Sequence, residues 1–262
     1  MWYYIRVYKV LLKLNWERLI VYRANFINNL VASTVWGGFI VISMLLLTSR
    51  TPSAFGWTRD EIMLLVGIFT AVMGFFHAIF GRNFEQLSRI TNLGLLDSFL
   101  VKPVDSQFLV SLSIINFTSL VRVVWGGMLA AYFFSKLDIA FSWHQVIVSL
   151  LLLIFGLVLL YSLWMLVIVL TLWFTRLSNL VDLMFSITGM SRFPREMFQS
   201  SSELVFLLIA PITFIIVTPT KALLEKATYS DIYGLLFLTC FFFFLSRKFW
   251  FFALKFYTSA SS

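Results

Sequence analysis

The chain carries several apolar segments that are each long enough to cross a lipid bilayer, and this limits the folds open to it. A membrane-spanning helix needs about 20 largely apolar residues. Of the 262 residues, 60% are hydrophobic and only 12% are charged, whereas soluble domains contain about 25% charged residues. A water-soluble fold of this length could not bury 30 Phe and 9 Trp residues. The sequence therefore predicts an all-α polytopic membrane protein that forms a single domain over residues 1–262.

Six transmembrane helices are predicted, together with one shorter apolar segment. The spans cover residues 31–47, 62–80, 108–134, 146–174, 177–193 and 232–252. Residues 204–217 are apolar but short, with Pro211 inside this stretch and Pro219 just after it. Such a stretch is more often re-entrant than spanning, so a re-entrant element is predicted over residues 203–220, before the last span. The alternative is a seventh span, which would place the two termini on opposite sides.

Positive charge indicates the orientation. With a cytoplasmic N-terminus, twelve Lys and Arg residues lie on the cytoplasmic side and seven on the outer side. Cytoplasmic loops of membrane proteins carry an excess of Lys and Arg, so both termini are expected in the cytoplasm. The net charge of +8 then reflects topology, and no nucleic-acid partner is expected.

The first 28 residues are predicted to form a helix that lies in the cytoplasmic interface of the membrane. Arg6, Lys9, Lys13 and Glu17 fall on one helical face, and aromatic and aliphatic residues cover much of the rest. The alternative is a frayed N-terminal extension. Charges throughout the segment and the lack of a small-residue cleavage site exclude a signal peptide.

The sequence offers few groups that could carry catalysis. It has two distant His residues and one Cys, and it lacks a Ser-His-Asp set, an HExxH motif and a phosphate-binding GxxxxGK[ST] loop. We therefore expect a non-catalytic chain without a metal or cofactor of its own. Arg122 is the unusual residue, because it lies inside the third span, where a charge must be paired or solvated. It either lines a translocation path or pairs with Asp182 or a lipid headgroup.

The second span carries small residues at helical spacing. Gly67, Ala71, Gly74, Ala78 and Gly81 follow one another at intervals of four, three, four and three residues. Small faces allow membrane helices to approach closely, so this pattern predicts a helix-packing face.

The polar segment over residues 81–106 interrupts the apolar sequence on the predicted cytoplasmic side. The stretch RNFEQLSRITNLG fits a short amphipathic helix, in which Arg82 and Glu85, and Glu85 and Arg89, lie one turn apart. Gly94 is expected to end this helix, and a turn is expected at Lys102 and Pro103. A short polar helix between two spans is suited to transmit force from a soluble partner such as an ATPase. Its charged residues Arg82, Glu85 and Arg89 are expected to contact that ATPase and to set its orientation.

Apolar side chains of this segment are expected to anchor that partner, because buried apolar groups usually dominate an interface core. The expected anchors are Leu93, Leu95 and Leu96. The alternative is a solvated loop in which Asp97 and Lys102 only cap and orient the neighbouring helices.

Three motifs resemble those of bacterial type-2 ABC exporter permeases. GLLDSFLVKP is similar to their Gly-x-Leu-Asp-x-x-Leu-x-Lys-Pro motif after the second span, and it supplies Gly94, Leu96, Asp97, Leu100, Lys102 and Pro103. SRFPREMF resembles their Arg-Phe-Pro-x-x-Phe motif after the fifth span, and KFYTSASS resembles their C-terminal Tyr-x-Ser-Ala-Ser. Arg195 and Glu196 depart from the apolar residues expected after Pro194.

The resemblance implies a fold and partners. Such permeases have six spans, an N-terminal interfacial helix, a cytoplasmic coupling helix after the second span and a re-entrant element before the sixth. They lie in the bacterial inner membrane, where they pair with a second permease, identical or homologous, and with two copies of an ATPase that binds ATP and Mg. The segment over residues 81–106 would be the coupling segment.

The expected function is the permease subunit of an ATP-driven exporter of a hydrophobic or amphipathic substrate. The alternative is an ATP-independent channel or small carrier, which would need several intramembrane acids or broken helices in paired halves. A membrane-embedded enzyme would need a cluster of His or acidic residues at membrane depth. The sequence shows none of these features.

Overall fold

The computed structural model describes residues 2–21, 23–49, 53–137, 139, 142–174, 179–198 and 203–257. Helices dominate these residues, and one short antiparallel hairpin pairs β1 (Ser53–Ala54) with β2 (Trp57–Thr58). The α-helices are α1 (Trp2–Val21), α2 (Arg23–Leu47), α3 (Arg59–Phe76), α4 (Arg82–Asn92), α5 (Asp97–Leu100), α6 (Ser106–Leu112), α7 (Leu120–Phe134), α8 (Trp143–Ile168), α9 (Leu180–Gly189), α10 (Glu203–Leu223) and α11 (Tyr229–Leu254).

Within the described ranges, five helical runs are long and apolar enough to cross a membrane. They are Ala24–Leu47, Arg59–Leu87, Phe117–Phe134, Trp143–Leu172 and Tyr229–Leu254. They correspond to the first, second, third, fourth and sixth predicted spans. The prediction of an all-α polytopic membrane protein is confirmed at this level.

The fifth predicted span and the predicted re-entrant element differ from expectation. Residues 177 and 178 lie outside the described residues, and α9 has only 10 residues, which is about 15 Å of rise or half of a hydrocarbon core. Residues 204–217 belong to α10, a helix of 21 residues that continues through Pro211 and Pro219. The count of six spans and the re-entrant course therefore stay predictions.

Close packing against α8 explains how α10 accommodates Pro219. Proline lacks an N–H group, so the carbonyl of Ile215 loses its helical partner. A Cβ atom added at Gly156 of α8 would lie 2.5 Å from this carbonyl oxygen, so only glycine permits the contact. The Ser149 hydroxyl donates a hydrogen bond to the carbonyl of Pro219 at 2.9 Å. Helix α8 thus covers the part of α10 that the proline weakens.

The second span begins at a capping box and extends well beyond the predicted boundary. The backbone N–H of Glu61 donates to Thr58 Oγ1 at 3.3 Å, and that of Thr58 donates to Glu61 Oε2 at 3.0 Å. After α3, one π-helical turn (His77–Gly81) leads directly into α4. The amphipathic helix predicted after the second span exists, but it continues that span instead of standing apart from it.

Gly94 ends α4, as the sequence predicted. Its φ of 67° lies in the left-handed region, which glycine adopts without strain. Its N–H donates to the carbonyl of Thr91 at 3.1 Å, and the N–H of Leu95 donates to that of Ile90 at 2.9 Å. This pair of bonds is a Schellman motif, and it turns the chain toward α5.

The small-residue face of the second span packs against α7, which confirms the prediction of a packing face. A Cβ atom added at Gly67 would lie 2.7 Å from the backbone nitrogen of Ala130. One added at Gly126 would lie 2.4 Å from the backbone nitrogen of Ala71. Glycines on both helices therefore allow their backbones to touch.

The third predicted span is broken, which corrects the expectation of one helix over residues 108–134. Helix α6 ends at Leu112, and a 3-10 turn (Phe117–Ser119) precedes α7. The Asn83 side chain satisfies the backbone at the break: its Oδ1 accepts from the N–H of Ile114 at 2.9 Å, and its Nδ2 donates to the Ile114 carbonyl at 2.8 Å. The N–H of Asn116 donates to the carbonyl of Ala78 in the π-helical turn at 2.8 Å.

The N-terminal helix α1 packs against this break. The Asn15 Nδ2 atom donates to the carbonyl of Ser113 at 2.9 Å, and the ring of Trp16 meets that of Phe117 edge-on at 5.5 Å. Residues 2–21 are thus a packed helix and not a frayed extension. Its interfacial position in the membrane stays a prediction, and the helix ends earlier than the predicted residue 28.

Candidate functional site

Arg122 lies near the start of α7, where the helix crosses α3. A Cβ atom added at Gly74 would lie 2.8 Å from the Cβ atom of Arg122, so the small face of α3 determines the position of this arginine. Its Nη2 atom donates to Ser119 Oγ at 3.3 Å. Its Nε atom is buried and has no hydrogen-bond partner among the described residues.

A cavity of about 510 Å³ opens in front of Arg122, between α2, α3, α7 and α9. Most of its wall is apolar, and its charged or titratable groups are Arg122, His77, Asp182 and Arg192. Asp182 was the predicted ion-pair partner of Arg122. The two residues share the cavity, but the ion pairs between described residues do not include this one.

A second cavity, of about 320 Å³, adjoins the first through Arg122 and His77. Arg82 and Glu85 line it and form an ion pair with an N–O distance of 3.3 Å. Both residues were predicted to contact an ATPase. About 16 Å of helix separates Arg82 from the end of α4, so the pair lies beside Arg122 and away from the exposed end of the segment. Their contact with an ATPase stays a prediction.

His77 connects the two cavities at the first residue of the π-helical turn. Its Nδ1 atom lies 2.7 Å from the carbonyl of Met73 and must donate to it, since a carbonyl only accepts. The ring stacks on Phe185 of α9 at 5.0 Å. Short π-helical turns frequently mark functional sites in membrane and soluble helices, and this one brings α3, α9 and the helix break together.

The exposed end of the coupling segment carries several aliphatic side chains. Leu93 and Leu95 are 58% and 50% exposed, and Val101 is 82% exposed. Leu96, by contrast, is completely buried within the chain, so it supports the segment from beneath and cannot be one of the predicted surface anchors. Leu100 is also exposed. We call residues 93–103 the docking tip.

The polar residues of the motif have local contacts at this tip. The Lys102 ammonium lies 5.1 Å from the centre of the Phe99 ring, and the carbonyl of Pro103 accepts a hydrogen bond from the Tyr3 hydroxyl of α1 at 3.4 Å. The N–H of Val101 donates to the carbonyl of Asp97, which closes α5. Arg89 is exposed on α4, one turn before the tip.

A polar network that the sequence analysis missed joins the end of the segment to the last span. Both Arg247 Nη atoms of α11 donate to the two carboxylate oxygens of Asp105, and Nη1 also donates to Gln107 Oε1 at 2.8 Å. The Gln107 Nε2 atom donates to the Tyr161 hydroxyl at 2.9 Å. The hydrogen bond from Arg247 holds the pKa of Asp105 below its usual value, against the opposing effect of burial. Arg247 lies inside the sixth predicted span, and a charged residue there requires a partner. This was the signal in the sequence that could have revealed the network.

Ion pairs at the opposite end explain the two charged residues that depart from the family motif. The Arg195 Nη1 atom lies 3.3 Å from Asp231 Oδ1, and the Lys221 Nζ atom lies 2.5 Å from Glu196 Oε1. The Trp57 Nε1 atom also donates to Glu196, at 3.0 Å. Burial is the largest single effect on the pKa of Glu196 and raises it, but the hydrogen bonds from Lys221, the backbone and Trp57, together with the Lys221 charge, outweigh it and the pKa is lowered. These contacts connect the segment before α10 to the hairpin, to the last turn of α10 and to the first turn of α11.

Charged side chains that line cavities between apolar helices are the main feature of this part of the structure. In the described part of the chain, no group of three or more His, Cys, Asp or Glu side chains is placed to hold a metal ion. Charged groups instead line cavities between apolar helices, and an intramembrane charge usually marks a pathway for a substrate or ion. These features define the class as a multi-pass membrane transport protein.

Comparison with known proteins identifies the family. Residues 34–261 match the family model described as ABC-2 family transporter protein. The chain belongs to this family, and it is therefore a multi-pass permease subunit of an ABC transporter. Neither the curated proteins nor the solved structures contain a match to it.

Proposed function

We propose that this chain is the permease of an ATP-driven exporter, which moves a hydrophobic or amphipathic substrate outward across the bacterial inner membrane. The observation that carries the proposal is the docking tip, where leucine and valine side chains are exposed on a polar segment between two spans. Exposed aliphatic side chains outside the bilayer are costly unless a partner covers them. Membership of an ABC transporter family makes an ATPase the expected partner.

The structure of the segment suits the transmission of force. Helices α3 and α4 form one helical run from Arg59 to Asn92, interrupted only by the π-helical turn. The docking tip follows at the end of this run, and Asp105 then ties it to α11 through Arg247. A displacement of the tip by the ATPase would therefore act on the second and the last spans together.

The complete transporter would contain further subunits. By resemblance to type-2 exporters, we propose two copies of an ATPase, which hold ATP and Mg, and a second permease that is identical or homologous to this chain. An ATP-independent carrier is less well supported, because the chain belongs to an ABC transporter family.

Substitution of the docking tip tests this proposal. The double variant Leu93→Asp, Leu95→Asp places two charges where apolar side chains would be buried, at a cost of several kcal/mol. We expect the ATPase of the same transporter to be lost when the tagged permease is purified, while the amount of permease in the membrane stays unchanged.

The matched control is Phe55→Asp, which also replaces an exposed large apolar residue but lies in the hairpin at the other end of the second span. This variant should retain the ATPase. Retention of the ATPase by the Leu93 and Leu95 double variant, with normal coupled hydrolysis, would reject the docking tip.

We also propose six spans, with both termini in the cytoplasm and a re-entrant course for the segment around α10. The supporting contact is the ion pair between Glu196 and Lys221. Glu196 precedes α10 and Lys221 lies in its last turn, so the chain enters and leaves this segment at the same end of the molecule. A single crossing by this segment alone would place those two residues on opposite sides.

Cysteine labelling in intact cells tests the topology. In a Cys240→Ser background, Ser53→Cys should react with an impermeant thiol reagent because the hairpin faces outward. Val101→Cys, at the docking tip, should react only after the cells are permeabilised. Labelling of Val101→Cys in intact cells, or protection of Ser53→Cys, would contradict the proposed orientation.

A further inference from the structure

We propose that the cavity in front of Arg122 binds the anionic head of the transported amphipath, with Arg122 and Arg192 as its two ligands. This inference rests on the proposed export function and narrows its substrate class to a phosphate-type head on an apolar chain. The two arginines come from different elements, α7 and the 3-10 turn after α9, and both line the cavity of about 510 Å³.

Each of the two arginines has one buried donor without a hydrogen bond to the described residues. The Nε atoms of Arg122 and Arg192 are buried, and neither has a hydrogen-bond partner among the described residues. A buried polar group without a partner is costly, especially in a charged side chain. Arginine donors favour the oxygen atoms of phosphate and carboxylate groups, with which they form charge-assisted hydrogen bonds. Two such arginines in one cavity are the arrangement that an anionic head would complete.

The charges around the cavity leave an excess of positive charge. Arg122 and Arg192 face one carboxylate, Asp182, which is exposed and does not form an ion pair with Arg122. In the adjoining cavity, Arg82 and Glu85 neutralise each other. His77 donates its Nδ1 proton to a backbone carbonyl and adds no negative charge. A cationic head would therefore meet a net positive site, whereas an anion would balance it.

The remaining wall suits the apolar part of the same ligand. Trp36 and Ile40 of α2, Phe69 and Met73 of α3, and Phe185 of α9 line the cavity. Most of the pocket surface in such sites is apolar, and a few polar groups orient the ligand. An amphipath could place its head at the two arginines and its chain along these side chains.

Three single-chain probes with the same dodecyl tail test the head-group preference. The probes are dodecyl phosphate, dodecyltrimethylammonium and dodecyl maltoside, each added below its critical micelle concentration to the full-length permease with any bound ATPase. Ligands that bind only the folded state raise the temperature of unfolding. We expect dodecyl phosphate alone to raise it. Equal stabilisation by the cationic probe would overturn the proposal. A lack of stabilisation by dodecyl phosphate would also overturn it if phosphatidate, a bilayer lipid with the same head group, gave none either.

Variants then assign the two arginines. Loss of one charge-assisted contact should raise the concentration of dodecyl phosphate needed for half of the stabilisation by about tenfold in Arg122→Gln and in Arg192→Gln. Arg122→Lys keeps the charge, so its concentration for half of the stabilisation should lie between those of Arg122→Gln and the wild type. This variant replaces Arg122→Gln in the test if the Gln variant does not fold. Arg59→Gln removes an exposed arginine outside the cavity and should have no effect. An unchanged concentration in both cavity variants would overturn the assignment.

A parallel measurement in nanodiscs distinguishes the sources of the head. Stabilisation by phosphatidate in a phosphatidylcholine disc indicates a bilayer lipid, and stabilisation by added dodecyl phosphate alone indicates a dissolved amphipath. Both results support an anionic site. The outcome is separable from that of the proposed function, because probe binding does not require the ATPase, while the docking-tip experiment measures only ATPase retention.

Discussion

Gly126→Ala is expected to separate α7 from α3 and to destabilise the folded permease by about 3 kcal/mol or more. The added Cβ atom would lie 2.4 Å from the backbone nitrogen of Ala71 and 2.7 Å from the carbonyl oxygen of Gly67. Overpacking a core typically costs about 1–3 kcal/mol, and here the obstructing atoms are backbone atoms that cannot change rotamer. Two helices must therefore move apart over their shared small-residue face.

The neighbouring residue provides the matched control. A Cβ atom at Gly127 would meet no other atom within 4 Å, and alanine favours a helix interior over glycine by about 1 kcal/mol. Gly127→Ala should therefore be neutral or slightly stabilising. Thermal unfolding and size-exclusion profiles of the two purified variants measure the difference. Equal stability of the variants would mean that α3 and α7 are not in backbone contact.

The packing of α3 on α7 could be predicted in part from sequence. The spacing of Gly67, Ala71 and Gly74 identified the face of the second span, because glycine and alanine at helical spacing expose a strip of backbone. Gly126 and Ala130 on the facing helix show the same spacing over only one interval, and the pairing of the two faces became clear only from the contacts. The same packing places Arg122 over Gly74. The small-residue pattern of the second span therefore determines where this charged residue lies.

The break in the third span could not be predicted from hydropathy. Residues 108–134 are apolar apart from Arg122 and a few Ser, Thr and Asn side chains. Composition does not reveal where a side chain replaces the backbone hydrogen bonds of a helix. The break is stabilised by Asn83, which lies about 30 residues away in sequence and replaces backbone partners with side-chain ones. Such a contact depends on the tertiary arrangement of the second and third spans.

The continuity of α10 through its two prolines could not be predicted from sequence either. Pro211 and Pro219 suggested a broken element, since proline usually ends a helix. The structure keeps the helix intact, and at Pro219 the neighbouring α8 supplies Gly156 and Ser149 to the weakened backbone. The carbonyl that Pro219 frees, that of Ile215, packs closely against Gly156, and the hydrogen bond from Ser149 goes to the carbonyl of Pro219 itself. The sequence could identify the weak points but not the helix that supports them.

Asp105→Asn is expected to uncouple the docking tip from the last span. The Asp105 carboxylate accepts from both Nη atoms of Arg247, one on each oxygen. An amide places an NH2 donor where the second oxygen was and carries no charge. Hydrogen bonds to charged groups contribute about 1.5–3 kcal/mol, and partial exposure of Arg247 places this pair toward the lower value. We expect a permease that still binds the ATPase but whose ATP hydrolysis no longer produces a matching rate of transport.

A double-mutant cycle isolates the pair from general damage. Arg247→Gln should have a similar effect, and the double variant should be little worse than either single variant, because the lost interaction is the same. Lys248→Gln removes the exposed charge next to Arg247 on α11 and should leave coupling intact. Additive losses in the double variant would show that Asp105 and Arg247 act independently.

The protonation of Asp105 predicts how the same interaction depends on pH. Its folded pKa is lowered by Arg247, so the interaction contributes its full stability above the unfolded pKa, which is about 3.9 for Asp. That stability is lost as the pH falls through the lower, folded value. The contribution should thus be constant from about pH 7 to about pH 5 and decline only in stronger acid. The difference in unfolding temperature between wild type and Asp105→Asn measures it: a difference that already disappears near pH 6 would mean that Arg247 does not hold the carboxylate in its charged form.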